Sequence, residues 1–557
     1  MKSGSRGWGR AGVLAAVFLF TASCGGGGSS DADLSSGGGG GTDVSGTASS
    51  PSEMGVGDIM AIALDGSASV EVDFDGVDGG AKFILAVGSA NAGGASTSVR
   101  ISANEALPAG DPLAKSMQVE GPAYEEFEED GYGPQEILSA WLRASEEELT
   151  MTEAPLASHE VASSSRSAGF KAVGVSKAVS LIAEGDGGRE DFYVLSSLSS
   201  TSSFKTVTGE LRCAGRNVDF YVDVDPAGLM SDDQIETLCV EFDEMAGEEQ
   251  ELLGSISDVD GNGKLDVLMT EEINRLGAMG GGIITGYFYA NDLMSASHSN
   301  RREIIYTMVP DPTGRYGATI STDFAMSNLL PAVLPHELQH AISYNHKVMQ
   351  GGGLPEESWL NEAMSHLIED RMGYNVENPS RYAMFLASPS TYGVVTSSSP
   401  NLMERGASYL FLRFLYEQAS DGDAFLRALI QSGQKGVENL EAAFDGPDGF
   451  NEFSHFMKRW VLALAMTDRG ITQDERYTYR ARVRGANGNW QGVCLDCNAD
   501  DNRGTVLSGV NLNPYYGTRN PTIDASAAMF FSMTPPPQMR VTGTSGGGNF
   551  AYLIRTQ

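Results

Sequence analysis

The sequence predicts an α+β protein: a central body with a mixed-sheet lobe and a helical lobe, flanked by N- and C-terminal β domains. Three observations carry this. Short alternating stretches punctuated by Gly and Asn fill about 56–103 and return at 470–557. Helical periodicity dominates from 325 to about 465. Between them, single alternating strands adjoin a capped helix. With 557 residues, 41% of them hydrophobic, the chain is long enough for several packed cores. Its 73 acidic side chains against 37 basic give a net charge of -36. That field repels phosphate backbones and excludes general nucleic-acid binding.

The first 23 residues have the makings of an export signal. Lys2, Arg6 and Arg10 precede an apolar run, 11–20, too short to cross a bilayer. Small residues then lead into Cys24. This resembles a bacterial lipoprotein signal. The resemblance implies lipidation at Cys24 and anchorage to a bacterial membrane, at the cell surface or the periplasmic face. Ordinary cleavage would instead release a secreted protein. Residues 24–55, rich in Gly and Ser, form a tether.

The segments that follow are a β-rich region at 56–165, a central body at 170–470 and a β-rich domain at 471–557. In the first, 69–75 and 82–87 read as strands, 134–149 as an acidic helix, and a Ser/Ala-rich joint near 157–168 as a boundary. In the second, 191–195 and 217–223 are strands, and Ser231 caps a helix to about 244 with Asp232 and Asp233 in its first turn. The stretch 302–308 is a further strand. Apart from Cys24 there are four cysteines: Cys213, Cys239, Cys494 and Cys497. An even remainder in an exported chain suggests two disulfides, and of three pairings the local one joins Cys213 to Cys239 and Cys494 to Cys497.

The chemistry lies between 336 and 362. His336-Glu337-Leu338-Gln339-His340 puts two imidazoles on one helix face, a turn apart, where both reach one Zn²⁺. Glu337 lies between them as the base for a metal-activated water. A catalytic zinc needs a third protein ligand and an open position. Glu362, in Trp359-Leu360-Asn361-Glu362-Ala363, follows across a Gly-rich turn and Pro355. This pairing resembles the thermolysin-like gluzincins, and 334–342 with 358–363 is similar to the hyicolysin-type neutral zinc metallopeptidases. The similarity runs over roughly 180–470, about half the chain. It implies a gluzincin-type zinc peptidase core at 170–470, with zinc on His336, His340 and Glu362. The substrates expected are extracellular or periplasmic proteins or peptides, cleaved internally because nothing in the sequence marks an exopeptidase end-recognition site. A catalytically inactive binding or adhesion lipoprotein on the same scaffold, and a zinc hydrolase with a non-peptide substrate, are the alternatives.

Several positions depart from that pattern. Thermolysin-like enzymes place an Asp four residues after the glutamate ligand; here His366 stands there, as a support for the ligands, an alternative ligand or a packed helix residue. Pro331 and Pro335 mean that the helix either starts at Pro335 or carries a proline just before the metal. His346 reads as a solvent-facing helix residue. The resemblance gives an edge strand beside the cleft to the substrate, a role that falls on 302–308. Aminopeptidase relatives carry a transition-state tyrosine where this chain has Met403, which leaves Tyr409, Tyr392 and Arg405 as candidate donors. Finally, Asp258, Asp260, Asn262 and Asp266, with Gly263 at the sixth position, match the first part of a Ca²⁺ loop, although its twelfth position is Met269. The bland reading there is an Asx/Gly turn before a strand.

Overall fold

Strand Leu265–Met269 is buried at every position, so it must be covered on both faces. It runs parallel to Val218–Asp223 on one side and Ile304–Thr307 on the other. Parallel neighbours need crossovers, and helices Asp232–Leu253 and Glu271–Met279 supply them. Antiparallel strands complete a mixed sheet: Gly286–Phe288 at one edge, then Phe204–Ala214 paired to both Ser180–Leu181 and Arg189–Leu195 at the other. The computed structural model describes residues 46–557 apart from 65–68, 104–131, 160–178, 199–202, 227, 448, 499–503 and 544–547. Cys24, the leader and most of the tether therefore lie outside the described residues, as does most of the 157–168 joint. No helix among the described residues is long and apolar enough to cross a membrane.

Ser231 caps its helix as the sequence suggests, its Oγ accepting from Gln234 N. The helix runs on to Leu253, past the expected 244, because its buried face continues through Met245, Glu249 and Leu252. Gly254 ends it at φ 120, and a Cβ there would stand 2.3 Å from His346 Nε2. His346 is therefore half-buried against this turn rather than solvent-facing, and its Nε2 finds no partner. Helix Leu330–Tyr344 packs on the sheet edge formed by Gly286–Phe288 and Ile304–Thr307. Behind it stand Ser358–Arg371, Asn378–Ala387 and Leu402–Gln418, the helical lobe.

The flanking β regions are not two domains. Asn549–Arg555 lies between Ile59–Ile62 and Phe83–Ser89, and Ala528–Met533 borders Phe83–Ser89 on its other side. Gln538–Thr542 likewise lies between Ser69–Asp73 and Arg100–Ala103. The two ends interleave around a shared core that includes Leu85, Val87, Phe531, Val541 and Leu553. Alternation announces a strand but not its partner, which is why the sequence split them. The acidic helix, Pro134–Thr152, belongs to neither: it packs against the central body.

Candidate metal centre

Helix Leu330–Tyr344 carries His336, Glu337 and His340, all buried. Pro335 lies inside it, so of the two expectations the interior proline holds. Wider π-helical turns, Ala325–Leu329 and Asn345–Gln350, precede and follow it. Helix Ser358–Arg371 brings Glu362 up to the two histidines. His336 Nε2 is 3.4 Å from Glu362 Oε2, and His340 Nε2 is 3.7 Å from Glu362 Oε1. Three donors held about 2.1 Å from one tetrahedral ion lie roughly 3.4 Å apart, so these spacings fit a zinc ion. Glu362 is fully buried, and its Oε1 has no hydrogen-bond partner. A buried carboxylate with its partnerless oxygen toward His340 and its other oxygen toward His336 is costly unless a cation neutralises it.

No protein-family profile matches the chain. It is similar to the neutral metalloprotease ShpI of Staphylococcus hyicus, with 26% identity over 294 residues, covering 48% of this chain and 63% of that protein. The chain thus spans under two thirds of that relative. The similarity is distant, and it supports a relationship to metalloproteases and hence a metal. His336, His340 and Glu362 also form one of three groups of potential metal-binding side chains among the described residues.

Around the cluster, Glu369 is the residue that the sequence reading missed. It stands seven residues after Glu362, two turns along the same helix face. Its Oε1 lies 2.6 Å from His336 Nδ1 and 3.0 Å from His366 Nδ1. Asn378 Nδ2 donates to its other oxygen at 3.4 Å. His366 thus reaches the cluster through Glu369, helping to hold the carboxylate that orients His336. Burial depresses His366 to about 3, so it is neutral. Burial also disfavours a charge on His336, but its bonds to Glu362 and Glu369 overcome this and lift it to about 9 when no metal competes. Burial alone would raise Glu362; Arg405 and the histidines hold it well below the usual carboxylate range. A signal for Glu369 did exist: a carboxylate one further turn along the ligand helix, once His366 had taken the expected acidic position.

Glu337 Oε2 accepts from Phe288 N at 2.9 Å, which fixes the carboxylate beside the sheet edge. Burial raises its pKa, opposed by His336 and Arg143. Arg143 comes from helix Pro134–Thr152. Its Nη2 donates to Phe288 O at 3.4 Å and its Nη1 pairs with Glu146 at 3.0 Å. Beside it opens a cavity of about 820 Å³, lined in part by Glu147, Glu357, Glu404 and Lys435.

Other candidates fall elsewhere. Tyr409 is fully buried away from the cluster, stacked on Tyr382 and bonded by Asn375 Nδ2 at 3.4 Å. One helical turn, about 6 Å of rise, carries it past Arg405 into the core. Tyr392 is half-buried and feels Glu404 rather than the histidines. Arg405 does reach the cluster, its Nη1 donating to Glu362 Oε2 at 2.5 Å. The strand expected at 302–308 forms as Ile304–Thr307, but it is interior; the edge beside Glu337 is Gly286–Phe288.

In the acidic loop, Asn262 N donates to Asp260 Oδ1 and Gly263 N to Asp258 Oδ1. Asp266 is not part of it. The strand pleat points its carboxylate to Arg302 Nη1, at 2.8 Å. Glu303 joins Asp258 and Asp260 instead, already bonded by Ser257 Oγ and Val259 N. Disulfides join Cys213 to Cys239 and Cys494 to Cys497.

Proposed function

We propose that the protein is a zinc-dependent metalloendopeptidase acting on extracellular or periplasmic proteins. The observation that carries this reading is the buried Glu362 carboxylate, its two oxygens toward His336 and His340 and the second of them partnerless, with Glu337 fixed beside it. His336, His340 and Glu362 would hold the ion. When bound, zinc would supply Lewis acidity toward water and a peptide carbonyl. The chain's own residues would do the rest. Glu337 takes a proton from the attacking water and returns it to the leaving amine. Glu369 keeps His336 turned toward Glu362, and Arg405 restrains Glu362 itself. An extended substrate would pair with the outer edge of Gly286–Phe288, which leads to Glu337.

The leader and Cys24 support export, with a lipid anchor holding the body off a bacterial membrane and the 24–55 tether as spacer. A calcium ion at the acidic loop would rest on Asp258, Asp260 and Glu303, because Asp266 is committed to Arg302 and Met269 stands at the loop's last ligand position.

The test is hydrolysis of casein by the zinc-loaded chain, compared with Glu337→Gln. The variant should bind zinc with unchanged stoichiometry and lose roughly 10²- to 10⁴-fold in rate, the usual contribution of a general base. Equal cleavage by both proteins would sink the assignment.

A further inference from the structure

The outer edge of Gly286–Phe288 is occupied by the protein itself. The backbone of this strand alternates: Thr285 O faces inward and accepts from Met308 N at 3.0 Å, while Gly286 and Phe288 turn their polar groups outward. Those outward groups are the ones that a peptide strand would use. Gln135 Nε2 donates to Gly286 O at 3.2 Å, and its Oε1 accepts from Thr285 N at 3.0 Å. Arg143 Nη2 donates to Phe288 O at 3.4 Å. Phe288 N is held by Glu337, so three of the four outward groups of Gly286 and Phe288 are taken. Gln135 and Arg143 lie about two turns apart on one face of helix Pro134–Thr152, so their side chains imitate the hydrogen-bonding groups of an added strand.

The helix is seated firmly. Leu138, Leu142, Arg143 and Glu146 are buried on its inner face. Trp141 packs against Tyr289 with ring centroids 5.8 Å apart, and Thr150 Oγ1 lies 3.2 Å from Tyr344 OH, on the zinc-ligand helix. The chain after it continues across the body: Ser295 N bonds Ala154 O, Leu156 N bonds Leu293 O, and His159 N bonds Asp258 O. A helix offers side chains, not a ladder of peptide groups. It therefore holds this edge without presenting a scissile bond to Glu337.

We propose that helix Pro134–Thr152 is an inhibitory segment, occupying the substrate edge of the peptidase through Gln135 and Arg143, and that an extended peptide binds only after displacing it. This inference rests on the peptidase reading above. Displacement exchanges three side-chain bonds for a backbone ladder of similar strength. It also uncovers the apolar side chains of Leu138 and Leu142, a cost that the ladder does not offset, which is what makes the helix a barrier. The helix is a competitor that removal of the segment, or loss of its edge bonds together with a favourable peptide, overcomes.

The experiment uses the full zinc-loaded chain and the double variant Gln135→Ala/Arg143→Ala. Two quantities are read: the initial rate on a quenched fluorescent peptide mixture, and amide hydrogen exchange of 285–288. Loosening the helix should raise the rate at least tenfold and speed exchange at these amides, and adding Glu337→Gln should abolish the gain. A variant that keeps zinc stoichiometry but cleaves no faster than wild type overturns inhibition and leaves the peptidase intact. If neither protein cleaves any peptide, the peptidase reading falls and takes this inference with it. Should the double variant not fold, Gln135→Ala alone, at a half-buried position, carries the test, with an expected gain of about threefold; an unchanged rate there also overturns the proposal.

Discussion

Glu369 bonds two imidazoles at once, and its substitution separates orientation from ligation. Glu369→Ala leaves every proposed ligand in place but frees the His336 ring, whose Nδ1 now rests 2.6 Å from the carboxylate. It also strips His366 and Asn378 of a shared partner. Loss of such a support typically weakens zinc 10- to 100-fold. Competition with a chromophoric chelator should show that drop, with Glu369→Gln intermediate because it still accepts a bond. An unchanged affinity would mean that Glu369 only fills space. At this scale the sequence was legible wherever helical spacing alone fixes the geometry. His336 and His340 share a face by their four-residue interval. Glu362 needed only a returning helix. Asp266 and Tyr409 were misplaced because their directions depend on a strand pleat and a packing depth that no local spacing encodes.

At the scale of elements, the short 3₁₀ turn Ala290–Leu293 follows the Gly286–Phe288 edge and buries Asp292. Asp292 accepts from Tyr306 OH and Asn300 N, each at 2.7 Å. Burial raises its carboxyl to about 7, only partly offset by those bonds. A folded pKa above the unfolded one gives stability that is fully present below about pH 4 and is lost as pH rises through 7. Asp292→Asn removes this dependence. Wild-type stability relative to the variant should therefore fall by up to about 1.4 kcal/mol per pH unit between about 4 and 7, read by urea unfolding at several pH values. A constant difference would show that Asp292 is ionised in the fold. Most elements, including this neighbourhood's strands, could be read from alternation and capping. The length of Asp232–Leu253 could not, since its last turns are held by burial rather than by a sequence signal. Nor could the π-helical turns on either side of helix Leu330–Tyr344.

For the whole molecule, the acidic excess and the interleaved termini act at different levels. Most of the excess charge is unconcerned with the His336–His340–Glu362 cluster, which is built from a few buried groups. The termini, by contrast, decide how the body closes. Ile59–Ile62 pairs with Asn549–Arg555, and Phe83–Ser89 has that same strand on one side. Composition marked both ends as β-rich but could not say that residues nearly five hundred positions apart share a sheet, because ladder hydrogen bonds are indifferent to sequence distance. Truncation after Gly548 tests this directly. It removes Phe550, Ala551, Leu553 and Ile554 from the core. At about 1.5–3 kcal/mol for each large apolar side chain, that loss exceeds about 5 kcal/mol before any hydrogen bond is counted. The N-terminal strands should then open, and trypsin should cut after Lys82 and Arg100, which bracket the freed Phe83–Ser89 strand. The proposed zinc ligands come from Leu330–Tyr344 and Ser358–Arg371. The truncated chain should therefore still take up zinc while its β unit is digested. Resistance at Lys82 and Arg100 equal to that of the intact chain would show that the N-terminal strands hold together without their C-terminal partner.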